Sequence, residues 1–313
     1  MSRWRRYRII LAALPYVVDH AFRKPYRRSA QARCSTAELD HPEFRRVVHD
    51  VYCAMFLRGY RESTGLRVDP ATGLATVLFA VFMYVFDDEF ERRHRRGEAT
   101  DADTILNSPS VAMIWNALGS YLDTTGRDGS IRHYILTDFF GTGFDDYRDA
   151  VADAEAGGPF TAAMCVVAFD SGEVLHTAYQ VIRLFNGHPY HERCAQQFRN
   201  LGLAGKFLDD IADFSQDVGD SCPNLLNSFV TERAEGLAEV RAALNAGKPL
   251  TMRWWREHCP IIYLEYLRHI DRYYGAVVAP HLRLPLDIFL MLLHSRRFWT
   301  VSTVRTPYSD DPD

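Results

Sequence analysis

The chain has 313 residues, 36 basic against 40 acidic side chains, a formal net charge of −4, and hydrophobic and aromatic contents of 47% and 13%. These values allow a sizeable core, in one large helical domain or two small ones, and exclude a general attraction to nucleic acid. No apolar run reaches the roughly 18 residues of a membrane-crossing helix, so a transmembrane span is excluded as well.

The first element is basic and amphipathic. Arg3, Arg5, Arg6 and Arg8 precede Ile9-Ile10-Leu11-Ala12-Ala13-Leu14, a pattern that imitates the start of a secretory signal peptide. Pro15, Asp19, His20, Arg23 and Lys24 end the apolar run early, and Arg27-Arg28 argues against cleavage after Ser29-Ala30-Gln31-Ala32. Residues 1–40 are expected to cap the fold as a basic helix, with weak interfacial membrane contact as the other reading. Six cysteines with no C-x-x-C pair or zinc spacing read as reduced thiols of a cytoplasmic protein.

Beyond the first element the pattern is helix after helix. Apolar residues recur every three or four positions in segments 41–61, 71–96, 109–123, 130–142, 160–186, 190–217, 222–246, 251–276 and 285–304. Breaks fall at turn chemistry such as Asp69-Pro70, Thr125-Gly126-Arg127-Asp128-Gly129 and Asn186-Gly187-His188-Pro189. Alternating strand patterns are absent. The expectation is one all-α domain over residues 41–308, followed by an acidic tail, 309–313.

Two carboxylate clusters carry the chemistry. Asp87-Asp88-Glu89-Phe90-Glu91 ends the apolar run Leu74–Phe86, and Asp209-Asp210-Ile211-Ala212-Asp213, followed by Asp217, ends another helical segment. Asp87 and Glu91 are four apart, as are Asp209, Asp213 and Asp217, so each set forms a column on one helix face. Acids at the end of a buried helix need compensation, and hard oxygen-loving cations supply it. Mg²⁺ comes first, because it binds through few carboxylates plus substrate phosphates. Asp145-Asp146-Tyr147-Arg148-Asp149 repeats the letters without a long apolar helix before it, and reads as a solvated helix start. His133, His176 and His269 read as satisfied polar residues in helices.

Asp87-Asp88-Glu89-Phe90-Glu91, with Arg95-Arg96-Gly97 after it, resembles the first aspartate-rich motif of trans-isoprenyl diphosphate synthases and class I terpene synthases. Gly202-Leu203-Ala204-Gly205-Lys206-Phe207-Leu208-Asp209-Asp210-Ile211-Ala212-Asp213 is similar to the synthases' second motif. The same stretch fits the cyclases' metal motif, with Asp209, Asp213 and Asp217 on its metal-binding positions. The resemblance covers residues 70 to 308. It implies an isoprenoid synthase-type helical bundle around a central apolar pocket, an isoprenyl diphosphate substrate, and three Mg²⁺ ions at the mouth. Asp87, with Asp88 or Glu91, would hold two ions; Asp209, Asp213 and Asp217 the third. Arg95, Arg96, Lys206, Arg305 and Tyr308 would contact the diphosphate, with Asp87, Asp209 and Arg305 catalytic. Many proteins of this resemblance are dimers, which leaves a homodimer open for this chain.

Within that resemblance, what is missing favours a cyclase over a chain-elongating synthase. No Gly-Gly-Lys-Arg precedes the first motif, and Phe169-Asp170-Ser171-Gly172-Glu173 stands where elongases carry a Lys-Thr pair. Phe298-Trp299 through Arg305 and Tyr308 looks like the cyclases' closing helix, although two residues separate Arg305 from Tyr308. Asp170, Ser171 and Gly172 fit the cyclases' helix break, but Val167 stands where a diphosphate-sensing Arg is usual. Trp115, Trp254, Trp255, Trp299, Phe82, Phe86 and Phe139 are candidate pocket walls. Phe82 leads, lying five residues before Asp87. The implied activity is that of a bacterial-type terpene cyclase acting on a C20 diphosphate, geranylgeranyl or a preformed bicyclic one, ahead of C15, with a trans-prenyltransferase or isoprenyl diphosphate synthase as alternative.

Overall fold

The structure is a computed structural model that describes the chain over residues 3–31, 47–233 and 236–295. Trp299, Arg305, Tyr308 and the tail from Ser309 lie outside the described residues. So does the stretch joining the first helix to the second. Within them every regular element is helical, as the periodicity requires.

Helix α1 spans Arg3–Gln31, α2 Val47–Thr64, α3 Thr72–Arg95, α4 Ala102–Leu106 and α5 Pro109–Thr124. Next come α6 (Asp128–His133), α7 (Gly141–Ala154), α8 (Phe160–Val167) and α9 (Val174–Phe185). The later helices are α10 (Glu192–Ala212), α11 (Phe214–Asp220), α12 (Leu225–Arg233) and α13 (Leu237–Asn245). The last described are α14 (Met252–His258), α15 (Pro260–Ala276) and α16 (Pro280–Leu293). Two π-helical turns, Tyr134–Phe140 and Ala168–Glu173, join α6 to α7 and α8 to α9.

The stops follow local chemistry. Asp101 and Thr251 accept hydrogen bonds from the backbone N–H groups of Thr104 and Trp254 (2.9 and 3.1 Å), capping α4 and α14. Gly126 and Gly187 take positive φ (68° and 64°) after α5 and α9, a conformation L side chains resist.

Four expected segments come out differently. Segment 222–246 divides at Gly236 (φ 74°) and 251–276 at Cys259-Pro260, where proline opens the new helix. Segment 130–142 does not end there: helix continues through the π turn and Gly141-Thr142-Gly143 to Ala154. Segment 190–217 breaks at Asp213, yet the N–H of Asp213 still donates to Asp209 O and that of Asp217 to Asp213 O, both at 2.9 Å. The three-carboxylate column therefore survives the break.

Helix α3 sits centrally against α2, α5 and α9, and α10 packs against α9, α15, α16 and the π turn Ala168–Glu173. The near-unbroken apolar run of α3 is what such a position demands, since thirteen of its residues are buried from several sides. One continuous apolar core links these helices. A smaller cluster of Ile9, Tyr16, Met55 and Leu284 fixes α1 to the outside of α2 and α16. The result is an all-α bundle around a central apolar cavity.

Candidate active site

The cavity measures about 520 Å³. Its floor and walls are largely apolar: Phe56 of α2, Phe79, Ala80, Met83 and Phe86 of α3, Val174, Leu175 and Ala178 of α9, and Leu286, Phe289 and Leu292 of α16. Charge gathers at one end, where Asp87, Asp170, Lys206 and Asp209 line it beside Tyr52, Tyr84 and Tyr147. The two acidic motifs, far apart in sequence, thus meet at one mouth.

Asp87 and Asp209 reach the cavity itself; the other members of both columns stand around them. Asp87 opens onto the cavity, but protein encloses that space. Burial, then the charges of Glu91 and Asp170, push its carboxyl up to about 8, with Lys206 opposing. Burial also raises Glu91 and Asp170. Burial and the neighbouring acids raise Asp217 to about 6, while its Oδ2 accepts from Asn224 Nδ2 at 2.8 Å. Asp88 and Asp213 act on the same field, adding to the shifts of Asp87 and Asp217.

Lys206 is the cation inside this ring. Its Nζ lies 3.2 Å from Asp210 Oδ1 and 3.6 Å from Asp209 Oδ2. Burial works against its charge, but Asp210, Asp209 and Asp170 outweigh burial and hold its pKa well above the usual lysine value. Arg95 reaches Glu91 (3.3 Å) at the edge of the mouth. Arg96 is turned toward Glu98 (3.9 Å) and does not line the cavity.

Several pocket assignments need correction, for Phe82, Gly172, Trp115, Trp254, Trp255 and Phe139 do not line the cavity. Phe82 is fully buried and packs against Trp115 (5.0 Å between centroids), Phe86 and Phe140, away from the cavity. At about 100° per residue, five positions turn a side chain roughly 140° from Asp87, whereas four and seven return it to the same face. Ala80 and Met83 occupy those positions and do line the cavity. Phe86 lines it as expected, as do Asp170 and Ser171; Gly172 is buried in the π turn behind them. Among the other aromatic candidates, Phe139 stacks on Phe169 from behind the wall, and Trp255 packs on Phe214.

Several residues with roles here were not singled out. Asp210, fully buried, accepts from the Leu225 N–H at 2.6 Å and so anchors the start of α12. Asn224 ties Asp217 to the Asp210 carbonyl. Tyr84 lies three residues before Asp87 and so shares its face, a signal the spacing contained. Tyr147 is the middle residue of the Asp145–Asp149 motif. Its ring stacks on Phe169 (4.9 Å) at the cavity, while Asp145 and Asp149 point to solvent and pair with Arg148.

The donor set is all oxygen, carries excess negative charge, and includes a buried Asp170 Oδ1 with no hydrogen-bond partner. Among the described residues no three such side chains converge on one point. An ion here would take one or two carboxylates and complete its shell with water and phosphate oxygens, which is how Mg²⁺ binds. The residues present fit such an ion.

No family model matches the sequence, and no curated protein matches it. Among solved structures the chain is similar to geranylgeranyl pyrophosphate synthetase from Pyrococcus horikoshii Ot3. That likeness has 15% identity and a TM-score of 0.47, over 87% of this chain and 90% of that one.

Proposed function

We propose that the protein is a class I terpene synthase that ionises an allylic isoprenyl diphosphate of C20 length, ahead of C15, and cyclises the resulting cation. The observation that carries this reading is one apolar cavity with both acidic motifs at its mouth. Mg²⁺ held there by Asp87 and Asp209, with Asp88, Glu91, Asp213 and Asp217 around them, would neutralise the diphosphate as a leaving group. Lys206 adds a fixed positive charge on the same side, and Arg95 stands at the rim. Phe79, Phe86, Phe169 and Phe289 line the cavity and would exclude water from the hydrocarbon, and an aromatic ring beside a cation contributes roughly 0.5–2 kcal/mol.

A cavity of about 520 Å³ with a mostly apolar lining has room for a branched hydrocarbon chain. An elongating synthase must hold two diphosphates, and Lys206 is the sole cation among the cavity-lining residues described. That supports cyclisation over condensation.

The test is incubation with Mg²⁺ and C10, C15 and C20 allylic diphosphates, with and without isopentenyl diphosphate, read by mass spectrometry. Hydrocarbons or alcohols are expected. Longer diphosphates would make the protein an elongase, and no turnover of any substrate would overturn the enzymatic reading.

A further inference from the structure

Helix α1 is apolar on two opposite faces. The inner face seats Ile9 and Tyr16 against Met55 and Leu284. Tyr16 meets His281 edge-on at 5.9 Å, and Arg58 lies 4.7 Å from its ring centroid. The outer face carries Trp4, Tyr7, Leu11, Leu14 and Val18, whose spacings alternate between three and four and so form one stripe. These side chains are 78%, 62%, 64%, 51% and 42% exposed. Ile10 and Val17 extend the stripe on one flank, also exposed.

Charge identifies the occupant. Residues 3–31 hold eight basic side chains against the single acid Asp19. With a net −4 overall, the remainder of the chain is therefore acidic. Arg8, four residues from Trp4, is exposed beside the stripe. Two copies of α1 joined by this face would press like charges together, as a self-complementary interface must. A surface that is apolar inside and anionic outside satisfies both features at once. Aromatic residues beside arginines suit the boundary of such a layer.

We infer that the outer face of α1 docks on an anionic lipid bilayer, lying in the plane of the surface. The orientation follows from the packing. Arg6 Nη2 donates to His294 O (3.3 Å) at the end of α16, whereas Tyr16 meets His281 at its beginning. Along α16, Leu282 abuts Gly59 and Leu286 faces Gly205, so the helix rises toward the charged mouth. Trp4 and Tyr7 therefore stand at the mouth end of the molecule, with α16 between them and the cavity. This inference is independent of the catalytic reading.

The full chain is sedimented with vesicles of phosphatidylglycerol and phosphatidylcholine, and with phosphatidylcholine alone. Retention about tenfold greater on the anionic vesicles is expected, falling as salt is raised. The variant W4S/L11S/L14S alters only exposed side chains. It is expected to lose vesicle binding while keeping the far-ultraviolet circular dichroism, melting temperature and any turnover of the parent. Absence of binding to anionic vesicles, or binding undiminished in the variant, would overturn the inference. So would a concentration-dependent dimer that dissolves in the variant without any lipid binding, which would assign the face to a second copy.

Discussion

Gly202 on α10 abuts the backbone of Ser171 so closely that a methyl group there would sit 1.9 Å from the Ser171 carbonyl oxygen. The neighbour is main chain, so it cannot swing aside as a side chain would. Gly202→Ala is expected to push the π turn, and Asp170 with it, away from the mouth. The overpacking costs about 1–3 kcal/mol, and if Asp170 helps position the substrate, a displacement on the order of 1 Å lowers turnover about 10²-fold. Melting temperature and turnover of this one variant check both, and unchanged turnover would refute the positioning role.

Asp87 and Asp209 are expected to be indispensable for turnover and dispensable for folding. Asp87→Ala and Asp209→Ala should each abolish product while keeping the helical spectrum, and Asp87→Ala should melt higher than the parent at alkaline pH. Asp145→Ala and Asp149→Ala, on the solvated face of α7, should behave as the parent does. Normal turnover in Asp209→Ala would remove the second motif from the mechanism.

The same carboxylates set a dependence of stability on pH. Asp87 is held up at about 8, against a usual value near 4. Between those values the folded protein keeps a proton that the unfolded chain releases, so stability falls as pH rises. The destabilisation is absent below about pH 4 and complete above about pH 8. Asp210 and Asp217, raised to about 7 and about 6, contribute with the same sign over narrower windows. In chelator the melting temperature is expected to drop from pH 5 to pH 9, less so in Asp87→Asn, with Mg²⁺ restoring it at pH 8. A flat profile in chelator would contradict the burial of these charges.

Lys206→Met is expected to lower stability by about 3 kcal/mol or more, because it leaves Asp210 buried beside an empty counter-charge. Denaturant unfolding measures the loss. An unchanged midpoint would mean that Lys206 does not hold the acidic ring together.

Phe82→Ala should cost about 3–5 kcal/mol and leave the product distribution unchanged, as for a core aromatic. Ala80→Phe should do the reverse, filling the cavity on Asp87's face and favouring shorter substrates. Product profiles and melts of the pair separate wall from core. A changed profile in Phe82→Ala would restore it to the pocket.

The contrast between these two positions shows where sequence reasoning reaches and where it stops. The helices, the acidic columns and the solvated face bearing Asp145 and Asp149 follow from periodicity and local chemistry, which a chain displays along its own length. Phe82 was misplaced because depth along α3 was counted without the angle around it, although Ala80 and Met83 could have been found by the same geometry. Tyr147 and Asn224 are different. Their roles come from the approach of α7 to the π turn Ala168–Glu173 and of α12 to α10, and no local pattern announces a partner far along the chain. Asp210 was legible as an acid beside Asp209, but its task of holding the Leu225 N–H becomes visible only when α12 is in place.

The π turn Ala168–Glu173 is a place where chain length can change at little cost to the bundle. A π turn is an α-helix carrying one surplus residue, while the helix on either side keeps its faces and its packing. Deletion of one residue from this turn is therefore expected to restore plain helix from Phe160 to Phe185, withdrawing Asp170 and Ser171 from the cavity while α8 and α9 stay packed as before.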